Sequence, residues 1–265
     1  MLTSLVIYCL VGAVAGILAG LLGIGGGLVI VPMLVYVFGL LAIPQELSMH
    51  LALATSMASI MFTSISSFMA HHRRGAVHWE VVRRIVAGIF TGTFVGSCFA
   101  STLSTGFLKI FFVVFLYVVA VQLLLNKKPK GSRELPGMAG MFAAGNIIGA
   151  VSSFVGIGGG TLSVPFMLWC NIRVHNAIGT SAAIGLPIAI AGTAGYIYGG
   201  WNAAELPPYS LGFVYLPALF GIAAASVLTA PLGVRLAHSL PVDKLKRVFA
   251  ILLLVVATKM LVSVL

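Results

Sequence analysis

Two stretches decide how this 265-residue chain reads: Gly16–Pro32, GILAGLLGIGGGLVIVP, and Gly149–Pro165, GAVSSFVGIGGGTLSVP. Each carries a GIGGG block, and in each a proline stands five residues beyond the last glycine. The likeness continues in order. His50-Leu-Ala-Leu-Ala-Thr55-Ser56 is answered by His175-Asn-Ala-Ile-Gly-Thr180-Ser181, Gly75 and Trp79 by Gly200 and Trp201, and Leu108-Lys109 by Leu245-Lys246. Preserved order over this length reads as duplication of a whole half. The first repeat spans 1–126 and the second 137–265. The stretch 127–136 between them, with charges, Pro and Gly, is a solvated linker on the cytoplasmic side.

Composition sets the class. The chain is 60% hydrophobic and 8% charged, where a soluble domain keeps about a quarter of its residues charged. A bilayer core of about 30 Å needs roughly 20 apolar residues per crossing, and several uncharged stretches of that length are present. Helical segments are expected at 4–22, 28–43, 47–70, 80–101 and 106–125 in the first half. In the second they fall at 137–155, 161–171, 175–197, 209–232 and 244–264. The fold class is an all-α polytopic membrane protein. At 1.5 Å per residue, 161–171 covers only about 17 Å. It is either the return arm of a re-entrant hairpin or a partial helix buried against other protein, the settings that tolerate broken backbone at depth.

The net charge of +10 raises nucleic acid as a partner, but the basic residues sit in short loops between apolar spans, as membrane topology requires. The N-terminus lacks the basic region of a signal peptide, and its pattern recurs later. Cys9, Cys98 and Cys170 stand singly, so no metal site, thiol relay or cofactor is expected.

Lys and Arg also choose the topology. If each GIGGG pair of segments goes in and out, a half crosses an odd number of times; if the pair is one broken helix, an even number. With the 71–84 loop inside, the odd case puts Arg73, Arg74, Arg83, Arg84, the four linker cations, Arg173, Arg235, Lys244, Lys246 and Arg247 inside. Only Lys109 and Lys259 fall outside, thirteen against two. The even case gives nine against six. The positive-inside rule selects the odd case: two inverted repeats of five segments with both termini outside, an arrangement found in secondary transporters.

The glycines carry the candidate chemistry. A break at Gly23–Gly27, and again at Gly156–Gly160, frees backbone N–H groups at the start of the next helix, and these with the helix dipole favour an anion. The expected substrate site is Gly25, Gly26, Gly27, Gly158, Gly159, Gly160 and Thr161. The alternative is that the glycines only let helices approach closely, as expected of Gly12, Gly16 and Gly20; recurrence of the block with its proline and short following segment favours the site. No Lys-Ser/Thr follows, so a P-loop is excluded. Thr55, Ser56, Thr180 and Ser181 approach the midplane from opposite faces, and their hydroxyls can donate to an oxyanion or bond their own helices. Asn146, Ser152 and Ser153 are weaker candidates. His50 and His175 head their helices, as gates or proton carriers or as plain interfacial residues. Trp79 and Trp201 suit interface anchoring.

All five acids, Glu46, Glu80, Glu134, Glu205 and Asp243, fall in loops or at segment ends. None is placed mid-membrane to bind Na⁺ or relay protons, which argues against cation exchange. An anion leaving a negative-inside cell gains about 2.3 kcal/mol per charge per 100 mV, so export needs no coupling carboxylate. No Gly-x-Ser-x-Gly is present, and each His lies five residues before its Thr, more than a helical turn away. No catalytic residues are expected.

At these residues the sequence resembles the TauE/SafE sulfite exporter family, over essentially the whole chain. The marks are the paired GIGGG-x4-P blocks, Ala-Thr-Ser at 54–56, Gly-Thr-Ser at 179–181, and Gly-x-x-x-Trp at 75–79. In the second half the tryptophan directly follows Gly200, a departure from that pattern. The resemblance implies export of sulfite or organosulfonates such as sulfoacetate across a bacterial inner membrane. A channel with the same site and an uptake permease remain open, and assembly into homo-oligomers is undecided.

Overall fold

The computed structural model describes residues 2–22, 26–41, 43–125, 134–239 and 242–262. Most of the expected linker lies outside them. The first half forms α1 (Leu2–Leu22), α2 (Gly27–Leu40), α3 (Gln45–His72), α4 (Trp79–Ala100) and α5 (Thr105–Leu125). The second forms α6 (Met138–Val155), α7 (Gly160–Trp169), α8 (Val174–Gly199), α9 (Leu216–Ser239) and α10 (Val242–Val262). Among the described residues, seven helices are long and apolar enough to cross a membrane: α1, α3, α4, α5, α6, α8 and α9. The chain is an all-α polytopic membrane protein. α2 and α7, at 14 and 10 residues, rise only about 21 and 15 Å, as the short segments after each GIGGG led one to expect.

One boundary is corrected. The apolar run from Tyr209 suggests a helix at 209–232, yet α9 starts at Leu216. Positive φ at Tyr209 (67°) and Gly212 (53°) turns the chain into a two-residue hairpin, β1 (Ser210–Leu211) against β2 (Val214–Tyr215). Apolar composition marks burial here, and the turn residues decide against the helix.

Packing partners are exchanged between the halves. α1 lies along α9 and α4 along α6, while α3 packs on α8 and α5 on α10. In lipid the hydrophobic effect does not drive helices together, so small residues that let backbones approach supply the adhesion. Gly12, Gly16 and Gly20 face the backbone of Ile222, Ser226 and Ala230. A second seam sets Gly88, Gly92 and Gly96 against Phe142, Asn146 and Ala150. The paired numbers rise together in both seams, so those helices run parallel. α3 and α8 run antiparallel: Gly185 faces Ser64, while Gly192 faces Met57.

The bundle buries a row of hydroxyls within an apolar core and turns an apolar face outward. Thr55, Ser56, Ser59, Thr63 and Ser64 of α3 are buried, whereas Leu10, Val95, Ile147 and Leu228 are exposed. An apolar outer face of this kind is one that lipid covers.

Candidate functional site

The two breaks differ in backbone. Gly26 caps α2 with φ 78°, a left-handed conformation that glycine adopts without strain. The N–H groups of Val29 and Ile30 donate to its carbonyl at 3.0 and 3.1 Å. In the second copy the left-handed residue is Gly156, φ 63°, which ends α6. Gly159, the counterpart of Gly26, has φ −61° and accepts from the N–H groups of Leu162 and Ser163 at 3.3 and 2.7 Å. In each short helix the preceding N–H groups lie before the first intrahelical bond and face the break. Gly25 lies outside the described residues.

The two blocks meet. A Cβ on Gly27 would strike the carbonyl oxygen of Gly156 and lie 2.9 Å from Ile157 Cα. Ser56 of α3 donates to that same Gly156 oxygen at 2.7 Å, fully buried. Leu53 and Val31 close on Gly156, and Ile184 and Ile188 of α8 close on Gly159. Gly158 and Gly160 are buried in the same break. The long helices α3 and α8 thus wall the point where the breaks touch.

The threonines turn out to brace the fold in matching ways. Thr55 Oγ1 accepts from the N–H of Tyr215 at 3.0 Å, and Thr180 Oγ1 accepts from the N–H of His78 at 2.9 Å. Each acceptor reaches a loop of the opposite half, and each loop begins with a left-handed glycine three residues earlier: Gly75 (68°) before His78 and Gly212 (53°) before Tyr215. Gly75 is therefore matched by Gly212, not by Gly200. The sequence signal was Gly-Ala-Val-His beside Gly-Phe-Val-Tyr. Ser181 Oγ donates to Ile178 within its own helix at 2.8 Å.

Two hydroxyls at the second break have no such use. Thr161 in the first turn of α7 and Ser152 near the end of α6 are buried with no hydrogen-bond partner among the described residues. A buried unpaired hydroxyl costs about 1–3 kcal/mol, so each is ready for a ligand or water. Ser153 donates to Ala150 at 2.7 Å. Asn146 bonds Thr91 at 3.1 Å in the α4–α6 seam, away from the break.

The histidines part company. His50 is buried, its Nε2 3.0 Å from the Leu103 carbonyl and its ring stacked on Phe213 at 5.0 Å. His175 is exposed at the start of α8. His71, which no motif marked, sits buried with Nε2 3.1 Å from the Gly20 carbonyl at the end of α1. Trp79 and Trp201 are exposed at helix ends. Glu46, Glu80 and Asp243 lie in the first turns of their helices, and Glu134 and Glu205 lie in loops. Among the described residues no three His, Cys, Asp or Glu side chains cluster as metal ligands. The touching breaks therefore offer backbone N–H groups and hydroxyl donors in an apolar surround.

A probable membrane transporter protein of Haemophilus influenzae is 41% identical, the match covering 98% of this chain and 99% of that one. One of Methanocaldococcus jannaschii is 26% identical over 89% of this chain and 87% of its own. YdhB of Bacillus subtilis, also a probable membrane transporter protein, is 26% identical over 76% and 80%. No solved structure matches. The model of the sulfite exporter TauE/SafE family matches residues 8–260, and the chain belongs to that family, as a multi-pass membrane transporter.

Proposed function

We propose that the chain is a secondary transporter that exports small oxyanions, sulfite or organosulfonates such as sulfoacetate, by alternating access around the paired breaks. The observation that carries this reading is the contact of Gly27 with Gly156, together with Thr161, buried in the first turn of α7 with no hydrogen-bond partner among the described residues. The starts of α2 and α7 supply N–H groups and positive dipole ends, and Thr161 supplies a donor. Thr55, Ser56 and Thr180 hold the walls in place through their bonds to the opposite half.

Two packing facts support the inverted arrangement. α3 and α8 carry the matching His-x4-Thr-Ser segments and run antiparallel. Lys109 and Lys259 line one cavity, whereas halves crossing an even number of times would set them on opposite faces. The placement of all five carboxylates in loops or first turns favours export driven by the membrane potential, worth about 2.3 kcal/mol per charge per 100 mV.

Replacing Thr161 with valine is the test of the site. A hydrogen bond to a charged group is worth about 1.5–3 kcal/mol, so sulfite affinity should fall roughly 10- to 100-fold. The melting temperature without ligand should not fall, because the hydroxyl bonds nothing among the described residues. Titration of the purified protein with sulfite, sulfoacetate and chloride in a thermal-shift assay reads both quantities. Equal sulfite stabilisation of wild type and Thr161→Val would remove Thr161 from the site.

A further inference from the structure

A cavity of about 550 Å³ opens between α2, α5 and α10. Thirteen residues line it; two are lysines, Lys109 and Lys259, and none is acidic. The rest of the wall is mostly apolar, with Gln45 and Ser48 at one edge. Lys259 Nζ lies 4.6 Å from the centre of the Tyr36 ring, which orients the ammonium without neutralising it. Among the described residues neither lysine has a carboxylate within ion-pair distance, unlike Arg84, which pairs with Glu80. A second, apolar groove of about 510 Å³ meets the first at Lys259, between Leu254 and Val262.

Unneutralised cations at the edge of an apolar span call for an anion. The charge count also makes Lys109 and Lys259 the only basic residues on their face, where the positive-inside rule gives a lysine no topological role. Lys109 is half-buried and Lys259 exposed, and the grooves beside them face outward, as the exposure of Met33, Tyr36 and Leu40 shows. A ligand that suits this site has a phosphate at the lysines and a hydrocarbon tail in each groove. We propose that Lys109 and Lys259 bind an anionic phospholipid of the surrounding bilayer at the α2–α5–α10 edge, apart from the transport site.

The test is native mass spectrometry of the full chain in neutral detergent, with phosphatidylglycerol and phosphatidylcholine of identical acyl chains. Wild type should retain phosphatidylglycerol over phosphatidylcholine by roughly tenfold or more, the scale expected for two lysines at an anionic headgroup. The double variant Lys109→Gln, Lys259→Gln should lose that preference, and Arg83→Gln should keep it. Met33→Trp, which fills the groove and leaves both lysines, should also lose it and decides the matter if the double variant fails to fold. Equal retention of the two lipids overturns the proposal, as does undiminished phosphatidylglycerol on the lysine or tryptophan variant. Glycerol phosphate reproducing the lysine-dependent thermal stabilisation given by phosphatidylglycerol overturns it too, because the site would then take a soluble anion.

Discussion

Replacing Gly92 with leucine is expected to leave no monodisperse protein in detergent. Gly92 lies in the α4–α6 seam, where an added Cβ would stand 2.6 Å from Asn146 Cα and closer still to the Asn146 carbonyl oxygen. Both neighbours are backbone, so no rotamer change relieves the clash and the helices must separate. Overpacking a tight site costs about 1–3 kcal/mol and occasionally more; a leucine against backbone belongs at or above the top of that range. The separation would also unseat Gly88 and Gly96 on one helix and Gly145 and Gly149 on the other, which share the seam. Gly39→Ala is the matched control: nothing lies within 4 Å of its added Cβ, and alanine is the better helix former by about 1 kcal/mol. Size-exclusion profiles of the two variants should differ sharply. A normal profile for Gly92→Leu would mean the seam is not what holds α4 to α6.

The second large effect is at the junction of the breaks. Gly27→Ala and Gly159→Ala change glycines of the same motif, yet the expected outcomes differ. The methyl at Gly27 meets the Gly156 carbonyl and Ile157 Cα, both backbone of the other half. The methyl at Gly159 meets side chains only, Ile184 Cγ2 at 2.9 Å and Ile188 Cδ1 at 3.1 Å; Cδ1 can turn about χ2, and Cγ2, held by χ1, needs a shift of a few tenths of an ångström but no movement of facing backbone. φ at Gly159 is −61°, which alanine accepts readily. Transport by Gly27→Ala should fall by about tenfold or more, the equivalent of 1.4 kcal/mol, with a lowered melting temperature. Gly159→Ala should stay within a few-fold of wild type. Equal losses would mean that the glycines act as generic flexible links.

Much of this was legible in the chain. Nine of the ten helices fall within about three residues of their expected bounds, because each is an apolar run closed by Gly, Pro or charge. α9 did not, since Tyr209–Tyr215 is apolar enough for a helix but its turn is set by positive φ at Tyr209 and Gly212. The same hairpin hid the true partner of Gly75, because the copies share only a glycine and a valine over four residues. The α1–α9 seam was visible as Gly12, Gly16 and Gly20. The α4–α6 seam carries the same spacing at Gly88, Gly92 and Gly96 and could have been read the same way. The site was legible as a location and less so in its roles. Thr55 and Thr180 recur in sequence whether their hydroxyls meet a ligand or, as found, the backbone N–H of a distant loop. No local pattern shows that Ser56 donates to Gly156 of the other half; that depends on which half packs where.

Efflux of radiolabelled sulfite from proteoliposomes of purified protein, with an inside-negative potential, tests the central claim most directly. The predicted result is saturable efflux that rises with the potential, is competed by sulfoacetate, and falls in Thr161→Val. Absence of protein-dependent flux of any sulfur oxyanion, sulfonate or carboxylate would contradict it.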